Sequence, residues 1–128
     1  METSVNNKCK AFTSLEQSKK LAEVLPIESA DMYYDRYGTP DVIDNIVTHK
    51  SIKTDKYQHL IPCWSLACLL GVLPTMNDEF EPQLHRSLDK YRCTYEGEED
   101  SSGLWRVANN PIDACYEMIL KLHELNLL

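Results

Sequence analysis

The stretch IPCWSLACLLGVLP, residues 61–74, has a proline near each end and no charged residue. Pro62 suits the first turn of a helix, where its missing N–H costs no hydrogen bond. From there to Leu73 the chain is apolar on nearly every side, which predicts a helix that is buried on most of its surface. At about 18 Å, from the standard rise per residue, this helix is too short to cross a hydrocarbon core of about 30 Å. We therefore predict a central buried helix and no membrane span. The expected core comprises Trp64, Leu66, Leu69, Leu70, Ile119 and Leu122.

An amphipathic helix is predicted before this stretch, in TSLEQSKKLAEVLP, residues 13–26. Thr13 and Glu16 have the Ser/Thr-x-x-Glu spacing of a capping box, which satisfies free amides at a helix start. Pro26 is predicted to end the helix. Residues 1–11, which precede the helix, are predicted to form a flexible tail. The apolar face is predicted to contain Leu15, Ala22 and Leu25, with Leu21 beside them.

The middle of the chain predicts a strand and then an ambiguous segment. SADMYYDRY, residues 29–37, suits a strand with one half-solvated side. Residues 38–40 break it, and residues 41–54 fit either a short helix capped by Thr39 or fragments of strand. Residues 53–59 are predicted to be a connecting loop. Two roles are open for five tyrosines, which either form a binding surface or cover the sheet: Tyr33, Tyr34, Tyr37, Tyr57 and Tyr95.

The C-terminal third predicts a hairpin followed by a helix. Two segments fit strands: LHRSLDKYRCTYEG and GLWRVAN. The connection between them is GEEDSSG, and the acidic run EGEED, residues 96–100, predicts a solvent-exposed hairpin tip. Asn110 suits the N-cap of the last helix and Pro111 its first position. Leu127 and Leu128 are expected to dock on the body. The buried stripe of the helix is predicted to contain Ile112, Cys115, Ile119, Leu122 and either Leu125 or Asn126.

These elements predict an α+β fold. We expect three main helices packed on one face of a small, mainly antiparallel sheet of about three strands. The chain has 128 residues, a length typical of one domain. We therefore predict a single domain over residues 12–128.

Composition and charge narrow the function classes. A net charge of −7 disfavours nucleic-acid binding, which depends on Lys and Arg contacts to phosphate. The five cysteines are odd in number and include no C-x-x-C, and no apolar signal run occurs at the N-terminus; this predicts reduced thiols in a cytoplasmic protein. The four histidines occur singly and the four glycines are scattered, so neither a metal site nor a cofactor is predicted.

Cys63 is the sharpest candidate for chemistry. In the first turn of a helix, its thiol would feel the positive end of the helix dipole and favour the thiolate. CWSLA, residues 63–67, resembles the sequence around the nucleophile of papain-like cysteine hydrolases. That resemblance implies His85 as the base and Asp89 or Asn109 as the orienting group. The chain lacks the glycines that usually precede that cysteine, and Gln58 lies one residue too near for the oxyanion glutamine. Our preferred interpretation is an inert Cys63 that is occluded between the last helix and the sheet.

A second resemblance covers most of the chain. SLEQSKKLAEVLPIESADMYY, PCWSLACLLGVLP and NPIDACYEMILKLHELNLL together resemble a group of small uncharacterised bacterial proteins, often encoded in prophages or other mobile elements of gut bacteria. The resemblance excludes the tail and the stretches 38–60 and 77–103. It implies a cytoplasmic accessory role and transfers no catalytic residues. The predicted function is a non-enzymatic interaction module whose partner is another protein, and the alternative is a cysteine hydrolase.

Overall fold

The computed structural model describes residues 10–53, 59–95 and 104–128. These residues form two three-stranded antiparallel sheets, four α-helices and one 3-10 helix. They group into two compact units. The N-terminal unit is Phe12–Cys68, and the C-terminal unit is Leu69–Leu128 together with residues 10 and 11. The single domain over residues 12–128 stays a prediction.

The N-terminal unit is built around a sheet in which β1 is the central strand. Both neighbours pair with β1 antiparallel, so that Tyr33 lies opposite Asp41 on one side and Pro62 on the other. Helix α1 packs against β3. The elements of this unit are α1 (Leu15–Leu21), a 3-10 helix (Ile27–Ser29), β1 (Met32–Tyr34), β2 (Pro40–Val42), α2 (His49–Lys53) and β3 (Ile61–Cys63). The predicted strand at residues 29–37 is present in β1, and the ambiguous segment contains both a strand and a short helix.

Helix α1 begins one residue later than the capping-box spacing predicts. Ser14 is the N-cap, and its hydroxyl accepts from Gln17 N at 3.2 Å while Gln17 Oε1 accepts from Ser14 N at 3.0 Å. This is also a capping box, because Gln serves as well as Glu at that position. The predicted cap, Thr13, is instead buried in the core. The buried face also differs from the predicted one: it contains Ser18 and Leu21, and Leu25 is buried just beyond the helix, whereas Leu15 and Ala22 are exposed.

The stretch at residues 61–74 is not one helix. Ile61–Cys63 forms β3 at the edge of the first sheet, where a proline is tolerated because its missing N–H removes no ladder bond. Helix α3 (Leu66–Val72) then starts after Ser65, whose hydroxyl accepts from Cys68 N at 3.4 Å. Leu69 is its buried residue, and Ala67 and Gly71 are exposed. The prediction of a helix buried on most sides was therefore wrong.

The C-terminal unit contains the second sheet, with strand order β4-β5-β6. The long strand predicted around residues 84–97 is in fact a hairpin, with Ser87 opposite Lys90 and a turn at residues 88 and 89. Leu88 adopts φ 56° in this turn and is 91% exposed. Sequence patterning misses such a turn because Leu is not a residue that favours positive φ. The strands are β4 (Gln83–Ser87), β5 (Lys90–Thr94) and β6 (Trp105–Ala108).

The antiparallel pairing of β5 with β6 confirms the predicted pairing of these two segments. Tyr95 N donates to Leu104 O at 3.0 Å just beyond the paired strands. The predicted acidic tip, residues 96–100, lies outside the described residues.

The last helix, α4 (Pro111–Glu124), forms as the sequence predicts. Asn110 is its N-cap, with Oδ1 accepting from Asp113 N at 2.8 Å. Lys10, in the predicted tail, forms a 2.9 Å ion pair with Asp113. The helix packs against β5 and β6. Its buried residues are Ile112, Ala114, Cys115, Met118, Ile119 and Leu122. Leu125 and Asn126, at the end of the predicted stripe, are exposed, and so are Leu127 and Leu128, which were expected to dock.

The fold is α+β, as predicted, but the layer arrangement differs. Two three-stranded sheets replace the expected single sheet, and α1 and α4 contact different sheets. The prediction of three helices on one sheet face is thus only partly matched. Of the predicted core residues, Leu66 and Leu70 are partly exposed, and the other four are buried. No helix in the described part of the chain combines the length and apolar character needed to cross a membrane.

Candidate functional site

Cys63 lies at the end of β3 and not in the first turn of a helix. The next helix in the chain, α3, begins three residues later. Cys63 is therefore outside its first turn, and the prediction that a helix dipole acts on the thiol from that position was wrong. The side chain is 0% exposed, in agreement with the expected occlusion. Burial raises the pKa of the Cys63 thiol, so the neutral form predominates near neutral pH.

The sulfur of Cys63 is held by a buried group of hydroxyls, which we call the Thr13 cluster: Thr13, Ser18, Tyr34 and Cys63. Thr13 Oγ1 donates to Cys63 Sγ at 3.6 Å, and Cys63 Sγ lies 3.5 Å from Thr13 O, which accepts from it. Thr13 Oγ1 and Ser18 Oγ are 2.7 Å apart, and Tyr34 Oη donates to Thr13 O at 2.6 Å. The surroundings of the thiol are thus hydroxyls and a carbonyl, which satisfy it as a buried polar group.

The Thr13 cluster also joins α1 to β3 through the backbone. Thr13 N donates to Trp64 O at 3.0 Å, and Trp64 N donates to Thr13 Oγ1 at 3.1 Å. The Trp64 indole N–H, in turn, donates to Ser29 Oγ at 2.9 Å. The hydrogen bonds of Cys63, Trp64 and Ser65 thus hold parts of the N-terminal unit together. Burial also raises the pKa of Tyr34 to about 12, with the neighbouring Cys63 adding to the effect.

The other candidates of the hydrolase hypothesis belong to the C-terminal unit. His85, in β4, is exposed and its Nε2 lies 3.1 Å from Gln83 Oε1. Asp89 is exposed in the β4–β5 turn. Asn109 is exposed and its Oδ1 accepts from Lys90 Nζ at 2.6 Å. The hydrogen bonds of His85 and Asn109 therefore run to local partners on the second sheet, whereas those of Cys63 run to Thr13.

Cys93, in β5, and Cys115, in α4, form a buried pair of thiols. The hydrogen bond with Cys93 and burial raise the pKa of Cys115. Cys68, in α3, is partly exposed, and burial together with the nearby Asp31 raises the pKa of its thiol. All four described cysteines are free thiols. The described residues contain no group of three or more His, Cys, Asp or Glu side chains that could hold a metal ion.

Two of the tyrosines that the sequence left open are buried. Tyr34 belongs to the Thr13 cluster, and Tyr95 Oη donates to Pro74 O at 2.7 Å. Tyr37 is exposed, with the Arg36 guanidinium 5.6 Å from its ring centroid. Tyr57 lies outside the described residues. Covering the sheet therefore accounts for Tyr34 and Tyr95.

A surface that the sequence did not single out lies on the second sheet. The strand register places Arg92 opposite His85 on one side and Val107 on the other. Side chains alternate across a strand, so these residues face away from Cys93, which is buried on the α4 side. Trp105 is on the same face, with the Arg92 guanidinium 5.3 Å from its ring centroid. We call this surface the outer face, and its members are Gln83, His85, Ser87, Lys90, Arg92, Trp105 and Val107, together with the buried Thr94.

The outer face exposes apolar and cationic groups together. Trp105 is 46% exposed and Val107 is 44% exposed. Side chains alternate along a strand, so Arg92 and its neighbour Cys93 lie on opposite faces of β5. This alternation can be read from the sequence. The proximity of Arg92 and Trp105 depends on which residues pair across β5 and β6, and no pattern within either strand carries that register.

Comparison with protein-family models, with curated proteins and with solved structures finds no significant match. The chemistry of the chain's own surfaces and buried groups is therefore the basis for assigning a function. The Thr13 cluster is a satisfied structural core, and the outer face is a surface on which apolar, aromatic and cationic side chains are exposed together.

Proposed function

We propose that this protein is a non-enzymatic protein-interaction module. The observation that carries the proposal is the half-exposed Trp105 on the outer face, with the Arg92 guanidinium over its ring. Trp and Arg are, together with Tyr, the residue types enriched among those that contribute most of the binding energy at protein interfaces. The partner is a protein of the host cell or of a mobile element, in line with the resemblance to the mobile-element group. The proposed location is the cytoplasm, where the free thiols would stay reduced.

The buried thiols support a non-enzymatic role. A cysteine nucleophile must be accessible and must ionise near neutral pH. Cys63 is buried, its pKa is raised by burial, and its hydrogen bonds are made with Thr13. These properties favour a packing role for Cys63 over the alternative proposal of a papain-like hydrolase.

Capture of partners from native bacterial lysate tests the interaction proposal. The wild-type protein is compared with Trp105→Ala and with Tyr37→Ala, a matched control in which another exposed ring with an arginine beside it is removed. We expect a stoichiometric partner that wild type and Tyr37→Ala retain and Trp105→Ala loses. Capture that is identical for all three proteins, or no stable partner at all, would contradict the proposal.

Alkylation of the native protein separates the interaction proposal from the hydrolase alternative. Iodoacetamide near pH 6, followed by peptide mass analysis, reports on each cysteine. We expect Cys63 to react only on denaturation. In the native protein the partly exposed Cys68 should react faster than Cys63. Rapid, selective alkylation of native Cys63 would favour the hydrolase.

A further inference from the structure

The outer face differs in charge from the chain as a whole. The chain contains 20 Asp and Glu against 13 Lys and Arg residues. Strands β4, β5 and β6 nevertheless contain four of the Lys and Arg residues and none of the Asp and Glu residues. Two of these cations, Lys90 and Arg92, lie on the outer face, with His85 beside Arg92. The sheet is thus a cationic region on an acidic protein.

The arginine at the centre of this face has unused hydrogen-bonding capacity. Arg92 Nε is buried and has no hydrogen-bond partner within the described part of the chain. Its guanidinium is oriented over Trp105, and stacking of this kind limits its freedom. The Arg92 side chain as a whole is partly exposed, and a charged guanidinium suits a carboxylate, which binds arginine through two parallel hydrogen bonds.

We propose that the outer face binds an acidic protein segment, with carboxylates placed at Arg92 and Lys90 and apolar side chains against Trp105 and Val107. This inference rests on the proposed function and adds the chemistry of the partner. Charge complementarity favours such a segment, because the strands present cations without any acidic side chain. The exposed indole and Val107 supply apolar contact area that a simple anion would leave uncovered.

Single-stranded nucleic acid fits this face less well. Its binding needs several aromatic platforms and a run of phosphate contacts. Among the residues of the outer face, Trp105 is the aromatic one, and Arg92 covers one side of its ring.

Selection from a random twelve-residue peptide library against the full-length protein tests the proposal. We expect the enriched peptides to be rich in Asp and Glu and to contain apolar residues. Their affinity should fall at least tenfold for Arg92→Glu and for Trp105→Ala, and should be unchanged for Tyr37→Ala. Affinity should also decrease as salt is added. Far-ultraviolet circular dichroism of each variant identifies any that does not fold, and Lys90→Glu then replaces Arg92→Glu as the charge-reversal variant.

Nuclear magnetic resonance of the two tryptophan indoles locates the binding site. An enriched peptide should shift the Trp105 indole signal, while the signal of Trp64, which is buried and bonded to Ser29, serves as an internal reference. Basic or uncharged peptides that depend on Trp105 would overturn the acidic partner and leave the interaction module standing. Enriched peptides that bind independently of Trp105, no enrichment at all, or tighter binding of oligothymidylate than of any peptide would overturn the proposed site.

Discussion

Replacement of Thr13 by valine removes one hydroxyl from the Thr13 cluster with little change in side-chain shape. Thr13 Oγ1 accepts from Trp64 N at 3.1 Å and lies 2.7 Å from Ser18 Oγ. The variant leaves the buried Trp64 amide without this acceptor. An unsatisfied buried donor costs about 1–3 kcal/mol, and the Ser18 hydroxyl also loses a partner. We expect Thr13→Val to lower the free energy of unfolding by about 2 kcal/mol.

Urea unfolding, followed by circular dichroism and tryptophan emission, measures this loss. With a urea dependence of about 2 kcal/mol per molar, the transition midpoint should fall by about 1 M. The matched control is Thr75→Val, because Thr75 is exposed and its hydroxyl donates to Glu81 at 2.9 Å, where water can replace it. This control should change the free energy by less than about 0.5 kcal/mol. Thr13→Ser keeps the hydroxyl and should lie between wild type and Thr13→Val.

Hydrogen exchange gives a residue-specific reading of the same variant. The Trp64 amide should exchange faster in Thr13→Val than in wild type, since local opening becomes easier when its acceptor is absent. A Thr13→Val protein with the wild-type midpoint and unchanged exchange at Trp64 would refute the role assigned to the hydroxyl. So would a Thr13→Ser protein as unstable as Thr13→Val.

Three further predictions concern the two units. The pKa of Tyr34 is raised from 10.0 to about 12, so its contribution to stability is complete below about pH 10 and is lost as the pH rises to about 12; spectrophotometric titration should show a tyrosine near pH 12 that Tyr34→Phe removes. Asn110→Ala should cost about 1–2 kcal/mol through loss of the α4 cap, whereas Asn109→Ala, at an exposed neighbour, should cost less than about 0.5 kcal/mol by urea unfolding, and equal losses would contradict the cap assignment. Leu69→Ala should cost about 2–5 kcal/mol because Leu69 is fully buried, and a thermal midpoint like that of Leu88→Ala, at an exposed turn, would show that the burial assignment is wrong.

The parts of the fold that follow from local sequence could be predicted. Helix α4 has its cap, its proline and its buried stripe within one continuous segment, and local signals of this kind act without help from the rest of the chain. The β5–β6 hairpin is likewise a pairing of neighbours in sequence. The α+β class follows from the presence of both kinds of element. The burial of Cys63 was predicted as well, from the apolar residues that follow it.

Tertiary structure decided the rest, because the forces involved join residues that are distant in sequence. Thr13 is a core residue and not a cap because Trp64, some fifty positions away, donates to its hydroxyl. Pro62 lies in an edge strand because β1 pairs with residues 61–63, and this pairing prevails over the helical preference of the apolar stretch. The outer face exists only once the register of β5 and β6 brings Arg92 over Trp105. Sequence patterning alone determines which face a side chain takes within a strand, whereas only the folded sheet determines which residues meet across strands.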